Sequence, residues 1–166
     1  MIIGIVCVDN KWGIGKNNDL LFHLKKDMQF FRQQTADSIV FCGFKTLMSF
    51  PGSKPLKGRS TICMTPYGVD RDDCCCIHNF DDAIKVIKEI AKTTNVYVIG
   101  GGMLYKSMLP YYDKVFVNKV DADGGADTFF PNLDECDHLQ LEKVLPVVED
   151  EGYKTTLHIY SSTIEG

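Results

Sequence analysis

Asp27 is the first residue in this sequence whose type and position point to chemistry. It lies in residues 24–32, where Leu24, Met28 and Phe31 recur at helical spacing and predict an apolar stripe along one face of a helix. Because Asp27 precedes Phe31 by one turn, the stripe would carry the acid toward the interior, where a carboxylate is costly unless it is paired. The position therefore predicts a partner for this charge. The alternative is a solvated acid near a helix start, where the helix dipole favours negative charge.

Two glycine-containing segments are candidates for binding phosphate groups. Residues 41–46 and 98–103 each join a strand end to glycine, at Gly43 and at residues 100–102, and then to a helix start. Glycine lets backbone N–H groups approach a ligand, and a helix N-terminus offers unpaired donors and partial positive charge. Two such segments suit a dinucleotide better than a mononucleotide. Neither the G-x-G-x-x-G motif nor a Walker A lysine is present, and glycine at such turns can also serve packing alone.

Strands and helices alternate along the chain, and this order predicts an α/β fold. The last two strands have no helix between them and are predicted to pair antiparallel. We therefore expect one domain over residues 1–166, with a mostly parallel eight-stranded sheet, antiparallel C-terminal strands and about four flanking helices. The predicted strands are 2–8, 38–42, 60–64, 74–77, 96–99, 114–120, 139–145 and 153–160, and the predicted helices are 25–35, 45–50, 80–91 and 103–109.

Composition excludes several classes of protein. The chain has 166 residues, of which 45% are hydrophobic and 24% charged, and this is enough for one compact domain with a substantial core. A net charge of −4 and scattered basic residues argue against nucleic acid as a partner. No apolar run has the length of a membrane span, and residues 1–8 lack the features of a secretion signal, so we expect a cytoplasmic protein with no membrane partner. Monomer is the default expectation for its oligomeric state.

The seven cysteines predict neither a disulfide framework nor a metal site. Their number is odd and their spacing irregular, which fits free thiols in a reducing compartment. Cys74, Cys75 and Cys76 are consecutive, but adjacent strand residues point to opposite faces and no second pair of ligands stands at a suitable spacing. We expect no bound metal, and we expect these thiols to be sensitive to oxidation in vitro.

Several further motifs occur in order between Ile5 and Pro131. They are Gly13-Ile14-Gly15 with Asn18, His23-Leu24 before Asp27 and Phe31, Gly43 with Thr46, Pro55-Leu56-Lys57-Gly58-Arg59, Ile99-Gly100-Gly101-Gly102 with Tyr105, and Asp127-Thr128-Phe129-Phe130-Pro131. In these motifs and their spacing the sequence resembles the dihydrofolate reductase family, and bacterial chromosomal members are expected to be the closest relatives. The resemblance implies hydride transfer from NADPH to C6 of 7,8-dihydrofolate and protonation at N5, giving tetrahydrofolate for one-carbon metabolism.

The resemblance implies that Asp27 is the ionisable group facing the pterin, with Phe22 and Asn118 beside it. An ionised carboxylate against an amidine-like edge, here N3 and the 2-amino group, makes a two-point, charge-assisted hydrogen bond that stabilises positive charge on the ring. Arg59 would bind the glutamate α-carboxylate through its guanidinium fork. The other residues expected to bind the substrate or an antifolate inhibitor are Ile5, Val6, Met28, Phe31, Phe50, Leu56, Ile99 and Tyr105.

The resemblance also implies a site for NADPH and a mobile loop, residues 13–22, that closes over the nicotinamide and excludes water. A cis peptide bond would join Gly100 and Gly101. The residues expected to contact the cofactor are Cys7, Ile14, Gly15, Asn18, Leu20, Gly43, Phe44, Lys45, Thr46, Met64, Thr65, His78, Ile99, Gly100, Gly101, Gly102, Met103, Leu104, Tyr105 and Thr128.

Five positions depart from the family's usual residues. Leu21 and Phe22 replace proline and tryptophan, so an aromatic wall is kept but the indole donor is lost, and Asn118 replaces threonine. Phe44 stands where an arginine commonly lies near the 2′-phosphate of NADPH, and Pro66 stands where a polar residue is frequent. NADPH remains the expected cofactor. The local candidates for binding its 2′-phosphate are Lys45, Thr65, Arg71 and His78.

Two other functions fit part of this sequence. One is reduction of a pyrimidine intermediate of riboflavin synthesis by an enzyme of the same fold, which would need neither an acid facing a pterin nor an arginine for a glutamate tail. The other is a non-catalytic folate-binding or dinucleotide-binding domain, which would bind its ligand tightly without turnover. Asp27, Phe31 and Arg59 together favour the reductase.

Overall fold

The structure is a computed structural model that describes residues 1–164. Four α-helices, α1 to α4, span Lys25–Thr35, Phe44–Ser49, Phe80–Ala91 and Gly102–Ser107. Twelve strands, β1 to β12, span Ile2–Val8, Gly13–Lys16, Asp19–Leu20, Ile39–Gly43, Ser60–Met64, Cys75–Ile77, Val96–Gly100, Lys114–Val120, Thr128–Phe129, Leu139–Val144, Val148–Asp150 and Tyr153–Ser162. Short 3-10 turns span Pro51–Ser53, Leu109–Tyr111 and Leu133–Glu135.

A nine-stranded sheet forms the centre of the molecule. Eight strands lie in the order β10-β12-β8-β1-β7-β4-β5-β6, and β11 pairs with β12 beside this row. The six strands from β8 to β6 run parallel, whereas β10, β11 and β12 pair antiparallel. The predicted α/β fold, with a mostly parallel sheet and antiparallel C-terminal strands, is confirmed.

A second, three-stranded sheet in the order β3-β2-β9 was not predicted. β2 and β3 form a hairpin inside residues 13–22, and β9 pairs with β2. These strands have only two to four residues and include glycine and lysine, so they lack the alternating apolar pattern by which a strand is recognised. The three-residue strand β11 was missed for the same reason.

β1 supplies side chains to both faces of the large sheet, because successive strand residues point to opposite sides. Val6 and Val8 enter the main hydrophobic cluster, which also includes residues of α3 and α4. Ile3 and Ile5 belong to a second cluster, against which aromatic residues of α1 pack. Cys7 follows the same alternation as Ile5, so its thiol lies on the face that α1 covers.

α3 shows the local signals that start and bury a helix. The amide of Asp82 donates to Oδ1 of Asn79 over 2.9 Å, so Asn79 caps the first turn. Ala83, Ile84 and Ile87 are the buried residues of the helix, and they lie on one face at helical spacing. Within residues 1–164, no helix combines the length and the apolar composition that a membrane crossing would require.

Candidate active site

Asp27 lies in the first turn of α1, above the central strands of the large sheet. Its Oδ1 accepts a hydrogen bond of 2.9 Å from Nδ2 of Asn118, a buried residue of β8. Asn118 is directly opposite Cys7 of β1 in the parallel ladder. The three side chains expected to surround the reacting ring or nicotinamide are therefore brought together by one strand pair and one helix.

The protonation of Asp27 is set by its surroundings. Burial raises the pKa of its carboxyl group, the hydrogen bond from Asn118 opposes this rise, and the negative charge of Asp150 adds to it. Burial and then the charge of Asp27 also raise the pKa of the Cys7 thiol, so this thiol stays protonated at neutral pH. Asp27 is thus an acid that takes up a proton more readily than an exposed aspartate does.

One position of the apolar stripe predicted for α1 is not buried. Met28 is 40% exposed, so the prediction that it is buried with the stripe is wrong. Phe30 instead turns inward and packs edge-on against Phe116, with ring centroids 6.0 Å apart. Phe30 and Phe31 are the residues of α1 that pack on the second hydrophobic cluster, and Leu24 of the stripe is buried as predicted.

A cavity of about 360 Å³ reaches Asp27 from the side of the C-terminal strands. Asp27, Phe30 and Asn118 form one wall, and residues of β11, β12 and the preceding loop form the other. Ile5, Phe31 and Ile99, which are expected to bind substrate, pack together in the second cluster and do not line this cavity. Two other residues are expected to bind substrate. Phe50 packs on a third cluster, formed by Cys42, Leu47 and Cys63, and Leu56 is half-buried.

Arg59 is held against the C-terminal end of α1. Its Nε donates to Oγ1 of Thr35 over 2.8 Å, its Nη2 donates to the carbonyl of Arg32 over 2.7 Å, and its Nη1 donates to the carbonyl of Lys57. A guanidinium has five N–H donors, so two remain for a ligand. Arg59 also lines an open depression of about 380 Å³.

The two predicted phosphate-binding segments meet at the ends of β4 and β7. A Cβ built on Gly43 would have Gly101 N at 3.8 Å and Gly100 O at 3.9 Å as its nearest neighbours, and one built on Gly101 would have Oγ1 of Thr46 at 3.4 Å. The peptide bond between Gly100 and Gly101 is cis, as the resemblance implied. The protein leaves the space beside Gly43 and Gly101 open, so the residues present fit a diphosphate that approaches the backbone closely.

The small sheet brings other expected cofactor residues to the same place. A Cβ on Gly102 would lie 2.7 Å from Cγ2 of Thr128 and 3.8 Å from Cδ1 of Ile14, so both side chains pack against this glycine. Tyr105 is buried, and its hydroxyl group donates a hydrogen bond of 2.8 Å to the carbonyl oxygen of Ile5. Asn18 and Leu20 are exposed, and Gly15 pairs with Leu20 in the hairpin.

Three residues that are expected to bind a ligand have side chains that pack in the hydrophobic core. Val6 and Leu104 are buried in the main cluster, and Met64 packs against it, so any contact from Val6 or Leu104 must come from the backbone. Met103, in contrast, is 87% exposed. The sequence pattern did not separate these cases because neighbouring positions on a strand or a short helix point in different directions.

The candidates for the 2′-phosphate differ in how far their side chains are engaged. Arg71 donates through Nε and Nη2 to the carboxylate of Asp73, and this pair lowers the pKa of Asp73. His78 contacts Asp70 through Nε2 at 3.0 Å and the hydroxyl of buried Thr65 through Nδ1 at 3.1 Å. A phosphate bound by Arg71 or His78 would therefore lie close to the carboxylate of Asp73 or Asp70.

Two further residues border the same place. Lys45 is exposed and forms no ion pair within residues 1–164. Phe44 packs against a buried cluster of Cys42, Leu47 and Cys63, so its ring is part of the core and does not extend freely into solvent. Lys45 is therefore the cation with the fewest competing partners.

Residues 13–22 are anchored at their base. Asp9 is 2% exposed, and its Oδ1 accepts from the amides of Lys11 and Gly13 over 2.9 and 2.7 Å. Its Oδ2 accepts from the amide of Gly124 over 2.9 Å. This role of Asp9 was not predicted, although an aspartate directly after a buried strand indicates a turn that its side chain caps.

Asp150 is a second functional candidate that the sequence reasoning missed. It is 3% exposed and accepts hydrogen bonds from the amides of Lys26 and Asp27. In the sequence it lies between two other acids and precedes Gly152, a pattern typical of an exposed hairpin turn. No local signal could have indicated its burial.

The cysteines form no disulfide in the part of the chain that the structure describes. All seven are free thiols, and no group of three or more His, Cys, Asp or Glu side chains within residues 1–164 is placed to hold a metal ion. Sγ of Cys74 and Sγ of Cys76 are 3.7 Å apart, on the same side of the chain. Cys75 is exposed on the other side.

Comparison with known proteins identifies the family. A family model described as dihydrofolate reductase matches residues 1–162. A dihydrofolate reductase of Staphylococcus haemolyticus is 30% identical over 158 aligned residues, which cover 94% of this chain and 92% of that protein. A dihydrofolate reductase of Rattus norvegicus is 30% identical over 184 aligned positions, which cover 94% of each chain.

A solved structure supports the same fold. The dihydrofolate reductase from Enterococcus faecalis, complexed with NADP(H) and RAB-propyl, has a TM-score of 0.86 at 24% identity and covers 99% of this chain and 97% of its own. Bacterial and mammalian relatives have similar identity to this sequence, so a specifically bacterial relationship stays a prediction. The match over nearly the whole length confirms the resemblance in the motifs, and the chain belongs to the dihydrofolate reductase family.

Proposed function

We propose that this protein reduces 7,8-dihydrofolate to 5,6,7,8-tetrahydrofolate with NADPH as the hydride donor. The observation that carries the proposal is the half-buried Asp27 carboxylate, held over the central strands by Asn118. When bound, NADPH supplies the hydride from C4 of its nicotinamide to C6 of the pterin. A proton from water is added at N5, so the reaction consumes one proton.

Asp27 orients the substrate and favours its protonation. Oδ1 accepts the hydrogen bond from Asn118, and the remaining lone pairs of the carboxylate are available to N3 and the 2-amino group of the pterin. The ionised carboxylate stabilises positive charge on the ring as N5 gains its proton. The raised pKa of Asp27 means that this site also gains a proton more readily than an exposed aspartate would.

The cofactor would lie along the open backbone at the ends of β4 and β7. Gly43 and Gly101 allow the diphosphate to approach, because a side chain at either position would enter the space that the diphosphate needs. Lys45, with Thr65 and His78, would bind the 2′-phosphate. Arg71 is less suited to this role because Asp73 already neutralises its charge.

The glutamate tail of the substrate would reach Arg59. Two N–H donors of its guanidinium remain after its three hydrogen bonds to the protein, and the depression beside it is open to a carboxylate. Antifolate inhibitors that carry a protonated, amidine-like ring would bind Asp27 as the pterin does. A pyrimidine reductase of riboflavin synthesis would use neither Asp27 nor Arg59 in these roles, so the arrangement favours dihydrofolate.

Asp27→Asn tests the assignment. We expect its turnover of dihydrofolate at neutral pH to fall about 100-fold to 1,000-fold, because the neutral amide cannot stabilise positive charge on the ring. Turnover is measured as NADPH oxidation that depends on dihydrofolate, and repeated with NADH. Asp81→Asn is the matched control, since Asp81 is an exposed acid in the first turn of α3. Unchanged turnover in the Asp27 variant would contradict the proposal.

We further propose that the protein acts as a cytoplasmic monomer. Its net charge of −4 and free thiols support a soluble protein of a reducing compartment. Light scattering coupled to gel filtration gives the mass directly, and a mass twice that of the chain would contradict a monomer.

A further inference from the structure

The N-terminus of α1 is capped by a residue from the opposite end of the chain. Leu24 is the N-cap residue, and its apolar side chain cannot accept a hydrogen bond from the helix. The amide of Lys26 donates instead to Oδ1 of Asp150 over 3.1 Å, and the amide of Asp27 donates to Oδ2 over 3.0 Å. Asp150 thus satisfies two of the donors that a helix start leaves unpaired.

The hairpin that carries Asp150 is fixed on the active site at a second point. β11 and β12 are joined by Glu151 and Gly152, both with positive φ, in a tight turn. The next residue, Tyr153, places its ring edge-on against Phe22, with centroids 5.0 Å apart. One hairpin therefore contacts both the helix that carries Asp27 and the aromatic residue expected beside the pterin.

Asp150 also brings a negative charge close to the acid of the site. The titratable groups that surround Asp27 within residues 1–164 are Cys7 from β1, Tyr105 from α4 and Asp150 from β11, and the neutral amide of Asn118 comes from β8. None of these is a cation. A like charge at short range in a partly buried site disfavours the ionised form of Asp27.

The lysine that precedes Asp27 in the sequence directs its side chain to the hairpin. Nζ of Lys26 donates to the carbonyl of Glu149 over 2.6 Å, on the same hairpin. This contact strengthens the docking of the hairpin on α1. Lys26 forms no ion pair with Asp27 or Asp150 within residues 1–164.

We propose that Asp150 is a positioning residue of the reaction: its two hydrogen bonds fix the first turn of α1, and its negative charge, added to that of Asp27, raises the affinity of the site for a proton. This inference rests on the proposed function for its consequence in turnover. The effect on Asp27 itself does not depend on the substrate. N5 would then be protonated at a higher pH than it would be with Asp27 alone, without the charge of Asp150.

The test compares Asp150→Asn, which removes the charge, with Glu149→Gln, which removes the charge of an exposed neighbour on the same strand. The first measurement is a carboxyl ¹³C NMR titration of Asp27 in the ligand-free protein. We expect the Asp27 midpoint to move to lower pH in Asp150→Asn and to stay in place in Glu149→Gln. Asp150→Glu, which keeps the charge, should move it less than Asp150→Asn does.

The second measurement is the pH profile of the hydride-transfer step. We expect Asp150→Asn to be slower than the parent protein at neutral pH by about threefold to tenfold, because less negative charge then favours the proton at N5. The difference should disappear at low pH, where N5 is protonated in both proteins. A loss of the same size at every pH would indicate a structural role only and would overturn the inference. An unchanged Asp27 midpoint in a folded variant would overturn it as well.

Asp150→Ser keeps a capping oxygen without charge and covers the case in which the asparagine variant does not fold. If neither neutral variant folds, Asp150 is needed for the fold and the inference is wrong. If the midpoint moves but the parent protein does not reduce dihydrofolate, the proposed function fails while the role of Asp150 toward Asp27 stands. The two failures are therefore distinguishable.

Discussion

Gly43 offers a direct test of whether the glycines at the strand ends serve the ligand or the fold. In Gly43→Ala, the new Cβ would have no protein atom closer than 3.8 Å, and the backbone at φ −81° and ψ 165° suits any residue. Replacing a glycine by alanine lowers the conformational entropy of the unfolded chain, and this stabilises the folded protein by about 0.4 to 1 kcal/mol. Alanine at the N-cap position of α2 costs a similar amount, roughly 0.5 to 1 kcal/mol. The free energy of unfolding should therefore change by less than about 1 kcal/mol.

The same methyl group would occupy the space that a diphosphate needs. We expect the Kd for NADPH to rise at least about tenfold, which corresponds to roughly 1.4 kcal/mol. Urea unfolding and nicotinamide fluorescence measure the two quantities separately. Ser49→Ala, at the exposed end of the same helix, is the control for NADPH binding and should leave the Kd unchanged.

Gly102→Ala provides the contrast. Its Cβ would lie 2.7 Å from Cγ2 of Thr128, so overpacking should lower the free energy of unfolding by about 1 to 3 kcal/mol. The reasoning is refuted if Gly43→Ala binds NADPH as tightly as the parent protein. It is also refuted if Gly43→Ala loses as much stability as Gly102→Ala, because the glycine would then serve the fold.

Three further predictions concern cofactor choice, pH dependence and the loop. Phe44→Arg should raise the ratio of kcat/KM for NADPH over NADH about tenfold, since a guanidinium fork suits a phosphate, and an unchanged ratio would place the 2′-phosphate elsewhere. The pKa of Asp27 is raised on folding, so the folded state binds more protons than the unfolded state between the two pKa values, and this group lowers stability as pH rises through that window. Asp27→Asn should therefore unfold at a higher temperature than the parent protein at pH 7 but not below the unfolded pKa, and calorimetry that found the opposite order would contradict burial of the charge. Asp9→Ala leaves the amides of Lys11, Gly13 and Gly124 without their acceptor, and should lower the free energy of unfolding by at least about 1 to 3 kcal/mol in urea titrations.

Periodic patterns allowed much of the fold to be predicted from the sequence. The bounds of α1 and α3 agree with the predicted 25–35 and 80–91, because both helices have amphipathic spacing over three turns. Asp27 could be singled out for a related reason: it interrupts an apolar pattern. The exposure of Met28 and the inward packing of Phe30 depend on contact with Phe116 of another strand, and no single segment contains that information.

Contacts between distant segments account for what could not be predicted. Asp150 is buried because its hairpin docks on a helix that lies far earlier in the chain. Arg71 was a candidate for binding phosphate, but its pairing with Asp73 reduces its availability and depends on loop conformation. The expected order of the motifs located the site, whereas the hydrogen-bond partners within it required the structure.

The hydrogen bonds of Asp9 divide the segment after β1 into a fixed part and a part that can move. Gly13 is tied to the end of β1, and Gly124 is tied to the same carboxylate, so any swing of residues 13–22 must begin beyond Gly13. Position 124 also controls the far end of that segment, because a Cβ there would lie 2.9 Å from Leu21 and 3.2 Å from Phe22. The lifetime of a bound ligand would then depend on the connection that carries Gly124, and substitutions there would change product release without altering Asp27 or Asn118.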